Sequence, residues 1–188
     1  LGQDQLDAGL LAGAIGLALV AIYMLVFYRL LGAVVIFGLI LSGMTLYTVV
    51  TYLGQSGGLA LTLAGVTGII VSAGVTVDSY IVYFERLKDD VRAGATVRSC
   101  ADRAFHRSFR TIIAADFVSL IGAVILYMLA IGGVRGFALF LGMSTVIDLV
   151  LSYFVMYPLV VLMSRRSNLV RMKRIGIAAG LDAPGVTA

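Results

Sequence analysis

Three aspartates stand where a chain bound for lipid can least tolerate them. Asp78 lies in "GVTVDSYIVYFERLKDD" (74–90), directly after a run from Leu59 to Val77 in which nothing is charged, and Asp116 and Asp148 interrupt two further apolar stretches. A carboxylate removed from water is costly unless it is paired, hydrogen-bonded or protonated. Each of the three is therefore either a bonded carboxyl that pins helices together or a group that takes up and releases a proton at depth. None of the apolar stretches contains an interior Lys, Arg or His that could act as counter-ion. The ionised form must then find its partner on another chain or in water that enters a cleft.

The elements that position these acids are membrane helices. The chain is 61% hydrophobic and only 13% charged, with a mean hydropathy of +1.05, whereas soluble domains are about one quarter charged. Five stretches, 8–28, 32–53, 61–84, 111–131 and 136–163, reach the roughly 20 residues needed to cross a bilayer. Arg29 with Gly32, "GQSGG" (54–58) and "GGVRG" (132–136) break them apart, and residues 85–110 read as a charged loop. The expected fold is an all-α membrane protein, with a transmembrane domain over 1–166 and a basic, flexible tail over 167–188. Thirteen of the fourteen Lys and Arg residues collect on one side, leaving Arg135 alone on the other. That asymmetry puts the N-terminus outside and the 85–110 segment in the cytoplasm. The net charge of +4 then reflects topology and contact with membrane lipid, not nucleic acid.

Depth follows from helical rise. At 1.5 Å per residue, Asp78 lies about 12 Å outward of Arg86, Asp116 lies about 9 Å outward of Arg110, and Asp148 is nearer the middle of its span. Ala64, Gly68, Ser72 and Thr76 recur every fourth residue, a stripe that lets helix backbones approach closely in lipid. Ile70, Gly74 and Asp78 share the adjoining face, so Asp78 is expected to point at protein. After Thr96 as N-cap, Val97, Ala101, Phe105 and Phe109 alternate with arginines, the pattern of an amphipathic helix lying along the membrane surface.

Other chemistry finds little support. One cysteine, Cys100, and one histidine, His106, leave no disulfide and no multi-cysteine metal site. The chain has neither a phosphate-binding G-x-x-x-x-G-K-[ST] nor a G-x-S-x-G, so no enzyme and no cofactor is expected. It begins at Leu1 without methionine or signal peptide and reads as a piece of something longer.

Four separated blocks carry a family resemblance. "VDSYIVYFERLKDD" resembles the V-D-A-N-V-x-x-x-E-R-x-x-E-E signature of the SecD family, and "LGQDQLDAG", "FYRLLG" (27–32) and "GGVRGFALFLG" (132–142) resemble its flanking segments in the same order. The V-D before F-E-R favours SecD over its sister SecF. The resemblance covers residues 1 to about 166 and implies five helices forming most of one six-helix half of a resistance-nodulation-division-type bundle. It further implies an accessory subunit of the Sec export translocon in the bacterial inner membrane, using the proton-motive force to assist polypeptide translocation. The implied partners are a SecF-like half, the SecYEG translocon and a translocating polypeptide gripped by an outer domain. A basic side chain of the SecF-like half is expected to approach Asp78.

Asp78 falls on the SecD acid implicated in proton coupling. Ala114, Ala115 and Asp116 stand where many relatives carry D-A-N, so that acid is displaced by two residues. Ser79 and Tyr80 replace the usual alanine and asparagine and are expected to alter the hydrogen bonding of Asp78, while Asp148 matches no family role. A small-molecule or lipid exporter of the same superfamily and a non-transporting scaffold of the Sec complex are the alternatives.

Overall fold

The computed structural model describes residues 2–57 and 62–165, and the regular structure among them is entirely helical. Helices α1 (Gly2–Tyr28), α2 (Leu30–Gly57), α3 (Leu63–Arg92) and α4 (Val97–Leu129) are followed by α5 (Gly133–Leu151), a π-helical turn (Ser152–Met156) and α6 (Tyr157–Arg165). The last three form one rod, so the chain presents five rods long and apolar enough to cross a membrane. This is the all-α membrane fold that the composition implies. The tail 167–188 and residues 58–61, which include the end of "GQSGG", lie outside the described residues.

Local chemistry explains where the helices start and stop. Arg29 adopts a left-handed φ of 51° between α1 and α2, an unusual conformation for a residue with a side chain. Three residues on, a Cβ at Gly32 would lie 2.1 Å from the Met24 carbonyl oxygen, so only glycine lets α2 leave α1 at that angle. Thr62 caps α3 by accepting from the Gly65 N–H at 3.1 Å, and Thr96 caps α4 by accepting from the Ser99 N–H at 3.3 Å. Side-chain oxygens satisfy N–H groups that the first helical turn leaves unpaired.

The 85–110 segment, read as a charged loop between two spans, is helical over most of its length. Helix α3 continues to Arg92 and α4 begins at Val97, leaving a short connection in which Gly94 takes a φ of +94°. Charge density suggested a break, but a helix emerging from lipid keeps its form when its charges occupy one face and its apolar residues another. Leu87, Val91, Val97, Cys100, Ala101 and Ala104 are buried between the two ends, and the Tyr83 hydroxyl donates to the Ala101 carbonyl at 3.0 Å. Nor does the 97–110 segment lie on the membrane surface: it is the first part of a helix that runs on to Leu129. Phe105, 1% exposed, stacks on Tyr157 with ring centroids 4.4 Å apart and meets Tyr83 edge-on at 5.4 Å. The amphipathic face is spent on protein.

Helix α3 is the centre of the bundle, packing most extensively on α5 and α4 and also on α1. The small-residue stripe faces α5. A Cβ at Gly68 would come within 2.7 Å of the Phe137 carbonyl oxygen, and one at Gly65 within 2.6 Å of the Phe140 ring. Gly74, on the adjoining face, has nothing within 4 Å. Gly68→Ala therefore forces α3 away from a backbone atom that cannot rotate aside, and is expected to cost about 1–3 kcal/mol. Gly74→Ala meets no obstacle. Thermal unfolding in detergent micelles should show a lowered Tm for the first substitution only; equal values for both would contradict this account of the α3–α5 contact.

Candidate functional site

The three membrane aspartates have three different environments. Asp148, on α5, is 7% exposed and sits where α2, α3 and α5 meet. Ser42 of α2 donates to its Oδ1, and from α3 Ser72 reaches its Oδ2 at 3.1 Å and Thr76 reaches the same oxygen. The stripe that brings α3 against α5 thus also delivers two hydroxyls to the carboxyl. Thr76 has one hydroxyl proton and two oxygens within reach, because the Ser72 carbonyl lies 3.0 Å away. If that proton goes to Asp148, the carboxylate is held by three donors. If it goes to the Ser72 carbonyl, the Thr76 oxygen is free to accept from a protonated Asp148. The same side chains therefore satisfy both protonation states by rotating one hydroxyl.

A cavity of about 100 Å³ abuts this carboxyl, with Ser42, Ser72, Ser144 and Asp148 among its walls and leucines of α1 and α2 closing it. It is large enough for water and offers the polar partners that a buried water needs. One turn beyond Asp148 the helical ladder changes register: a π turn runs over Ser152–Met156, and the Tyr157 N–H reaches back five residues to the Ser152 carbonyl. Such turns are rare and frequently mark functional positions.

Asp116, on α4, is likewise 7% exposed and lies close enough to Asp148 for their charges to interact. The structure thus brings together two of the three acids named from sequence. Tyr80 joins them from α3. It is 2% exposed, its hydroxyl makes no hydrogen bond, and it feels the charges of both Asp148 and Asp116. Ser152 lies near that hydroxyl without meeting hydrogen-bond geometry. The expectation that Tyr80 modifies Asp78 is therefore corrected: two residues apart on a helix, the side chains point roughly 200° apart, Tyr80 into the bundle and Asp78 out of it.

Asp78 itself is exposed, and among the described residues nothing bonds to its carboxyl. It lies on the open side of α3 that carries Gly74, not in the bundle of this chain. The hydroxyl nest around Asp148 was missed from sequence. Its signal was available in Ser72 and Thr76, read there as packing residues, but nothing in the spacing linked them to Ser42 or to an acid more than seventy positions away. No cluster of His, Cys, Asp and Glu suited to a metal ion occurs among the described residues.

Comparison with known proteins identifies this architecture. A family model described as the C-terminal region of the protein export membrane proteins SecD and SecF matches residues 1–166. The chain is 46% identical over 166 residues to a protein translocase subunit SecD of Streptomyces coelicolor, covering 88% of this chain and 29% of that protein. It is 42% identical over 179 residues to SecD of Mycobacterium tuberculosis, covering 95% of this chain and 31% of the relative. The chain therefore spans less than a third of the length of these relatives. Among solved structures, the crystal structure of SecDF, a translocon-associated membrane protein from Thermus thermophilus, superposes with a TM-score of 0.77 at 30% identity, covering 82% of this chain and 21% of that one. A SecDF structure in a super-membrane-facing form gives 0.75 at 32% identity, covering 87% and 22%. With a family model matched along most of its length and a SecD relative at close to half identity, the chain belongs to the SecD/SecF family of protein-export membrane proteins and is of the SecD type.

Proposed function

We propose that this region is the proton-handling membrane half of an accessory subunit that assists polypeptide export through the Sec translocon. The observation that carries the proposal is the set of hydroxyls around the buried Asp148 that can serve a protonated and an ionised carboxyl alike, with the buried Asp116 within range of its charge. Two acids whose charges interact resist being ionised together, so the pair suits holding and releasing a proton. The water-sized cavity beside Asp148 provides a place from which it can be exchanged.

Asp78 takes a different part. Its position on the open face of α3 suits contact with a second, SecF-like half, and a basic side chain there would balance its charge when ionised. Protonation of Asp78 loosens that contact and ionisation restores it, which links proton occupancy to the relative movement of two halves without covalent chemistry. One charge crossing the full membrane potential is worth about 2.3 kcal/mol per 100 mV. That shifts a two-state equilibrium roughly 50-fold, short of the ~10⁴-fold needed for a near-complete inversion. Several protons per cycle, or a pH gradient as well, are required, and three membrane acids suit that requirement. The SecYEG channel and the exported chain would be engaged by parts of the full-length protein beyond this region. A scaffold without transport would use the same acids only as helix pins.

Asp78→Asn keeps the size and bonding capacity of the side chain but cannot titrate. In inverted membrane vesicles carrying the full-length protein, it is expected to insert and assemble normally while abolishing the stimulation of export by the proton-motive force. Unchanged stimulation would reject the coupling role. Asp148 is separated into structural and titrating roles by two substitutions. Asp148→Leu takes the acceptor from the Ser42 and Ser72 hydroxyls, while Thr76 keeps its bond to the Ser72 carbonyl, and is expected to cost about 1–3 kcal/mol of stability, whereas Asp148→Asn preserves most of the bonding. Reduced proton dependence in the folded Asn variant is the expected result; full proton dependence would make Asp148 a helix pin alone.

A further inference from the structure

We propose that the basic end of the bundle holds the phosphate of an anionic phospholipid in a groove between the ends of α3 and α4. Arg86 of α3 and Arg103, Arg107 and Arg110 of α4 line a single depression of about 810 Å³. The three α4 arginines are spaced by four and three residues, so they rise along one helix face. From Arg110 to Leu129 the helix climbs about 28 Å, close to the ~30 Å thickness of the hydrocarbon layer. That places Arg110 at the edge of the lipid core, Arg107 about 4–5 Å beyond it and Arg103 about 10 Å beyond. The headgroup zone on each side of a bilayer is about 5–8 Å deep, so Arg110 and Arg107 lie within it and Arg103 just above its outer edge. Phe109, packed on Phe105 at 5.1 Å between centroids, adds an apolar wall to the groove at the level where acyl chains begin.

The charges in this groove are poorly balanced from within. Arg107 reaches Asp90 at 3.5 Å with both side chains accessible to solvent, and Arg103 makes only a long 3.5 Å contact to the Ser99 carbonyl. Arg86 and Arg110 form no ion pair among the described residues. Asp102 is the one carboxylate in the lining; it accepts from the Tyr157 hydroxyl and lies 3.6 Å from His106. Lys88, outside the groove, is by contrast paired with Glu85 at 3.6 Å. A fork of guanidinium donors at phosphate depth suits bidentate recognition of a phosphodiester. Soluble phosphate would offer the same oxygens, but it would gain nothing from the apolar wall or from the depth of Arg110.

The test uses the full-length protein in a zwitterionic detergent, titrated with phosphatidylglycerol or with phosphatidylcholine of identical acyl chains. Retained lipid is read by native mass spectrometry. Each arginine near a lipid phosphate contributes about fivefold, so phosphatidylglycerol should be held at least about tenfold more tightly than phosphatidylcholine. The combined Arg103→Gln, Arg107→Gln and Arg110→Gln variant should lose that preference, and the corresponding lysine variant, which keeps the charges but not the bidentate forks, should keep part of it. Arg135→Gln, an equal charge change at the opposite end, should leave it intact. The lysine variant and the elution profile of each protein separate lost binding from lost folding. Retention of the preference by the glutamine variant, or its loss on Arg135→Gln, would overturn the proposal. Displacement of the lipid by an equal concentration of inorganic phosphate would also overturn it, marking the groove as a site for free anions.

Discussion

The close contact between α3 and α5 governs this bundle. Gly65 and Gly68 have no side chains to hold the helices apart, and the Phe140 ring and Phe137 carbonyl occupy the space where Cβ atoms would be. In lipid, where apolar surface gains nothing from association with other apolar surface, such close packing and hydrogen bonds between helices supply the specificity. One and two turns further along the same stripe, Ser72 and Thr76 meet Asp148. The hydrophobic contact and the polar site are consecutive segments of one helix face. A carboxyl could not remain at that depth if the helices stood even one side chain further apart, because its hydroxyl partners would no longer reach it.

This arrangement gives α3 two chemically distinct sides. Its inner side carries the hydroxyls that hold Asp148 and the unbonded hydroxyl of Tyr80. The other carries Gly74 and Asp78, both exposed and, among the described residues, without a close neighbour at the Gly74 Cβ position or a bond to the Asp78 carboxyl. A buried hydroxyl without a partner is costly, and Tyr80 carries that cost beside two acids, close to a π-helical turn. The helix thus connects a polar interior to an acid on an open face. A shift of α3 relative to α5 changes both at once.

The basic end is built on different principles. There, towards the charged ends of α3 and α4, Tyr83, Phe84, Leu87 and Phe105 form an ordinary aromatic and aliphatic core. Wherever such a core borders water, burial of apolar area stabilises the packing directly. This firm end holds α3 and α4 in register, and its arginines are displayed on a rigid framework instead of a mobile loop.

Composition alone determined that the chain crosses a membrane five times, since no other environment accepts so many long uncharged stretches, and the breaks at Arg29 with Gly32 and at "GGVRG" are local chemistry legible in the residues. The small-residue stripe also announced a close helix contact, and the four matched blocks announced the family. What the linear pattern does not contain is which helices meet. Charge density at 85–110 looks the same whether the segment is a loop or two helical ends, and only the burial of Leu87, Ala101 and Phe105 against one another decides for helix. Asp78 carried the strongest motif yet lies outside this chain's interior, whereas Asp148, with no motif, became the hydrogen-bonded centre. Its three hydroxyls come from α2 and α3, and their convergence depends on interhelical distances that tertiary packing alone sets.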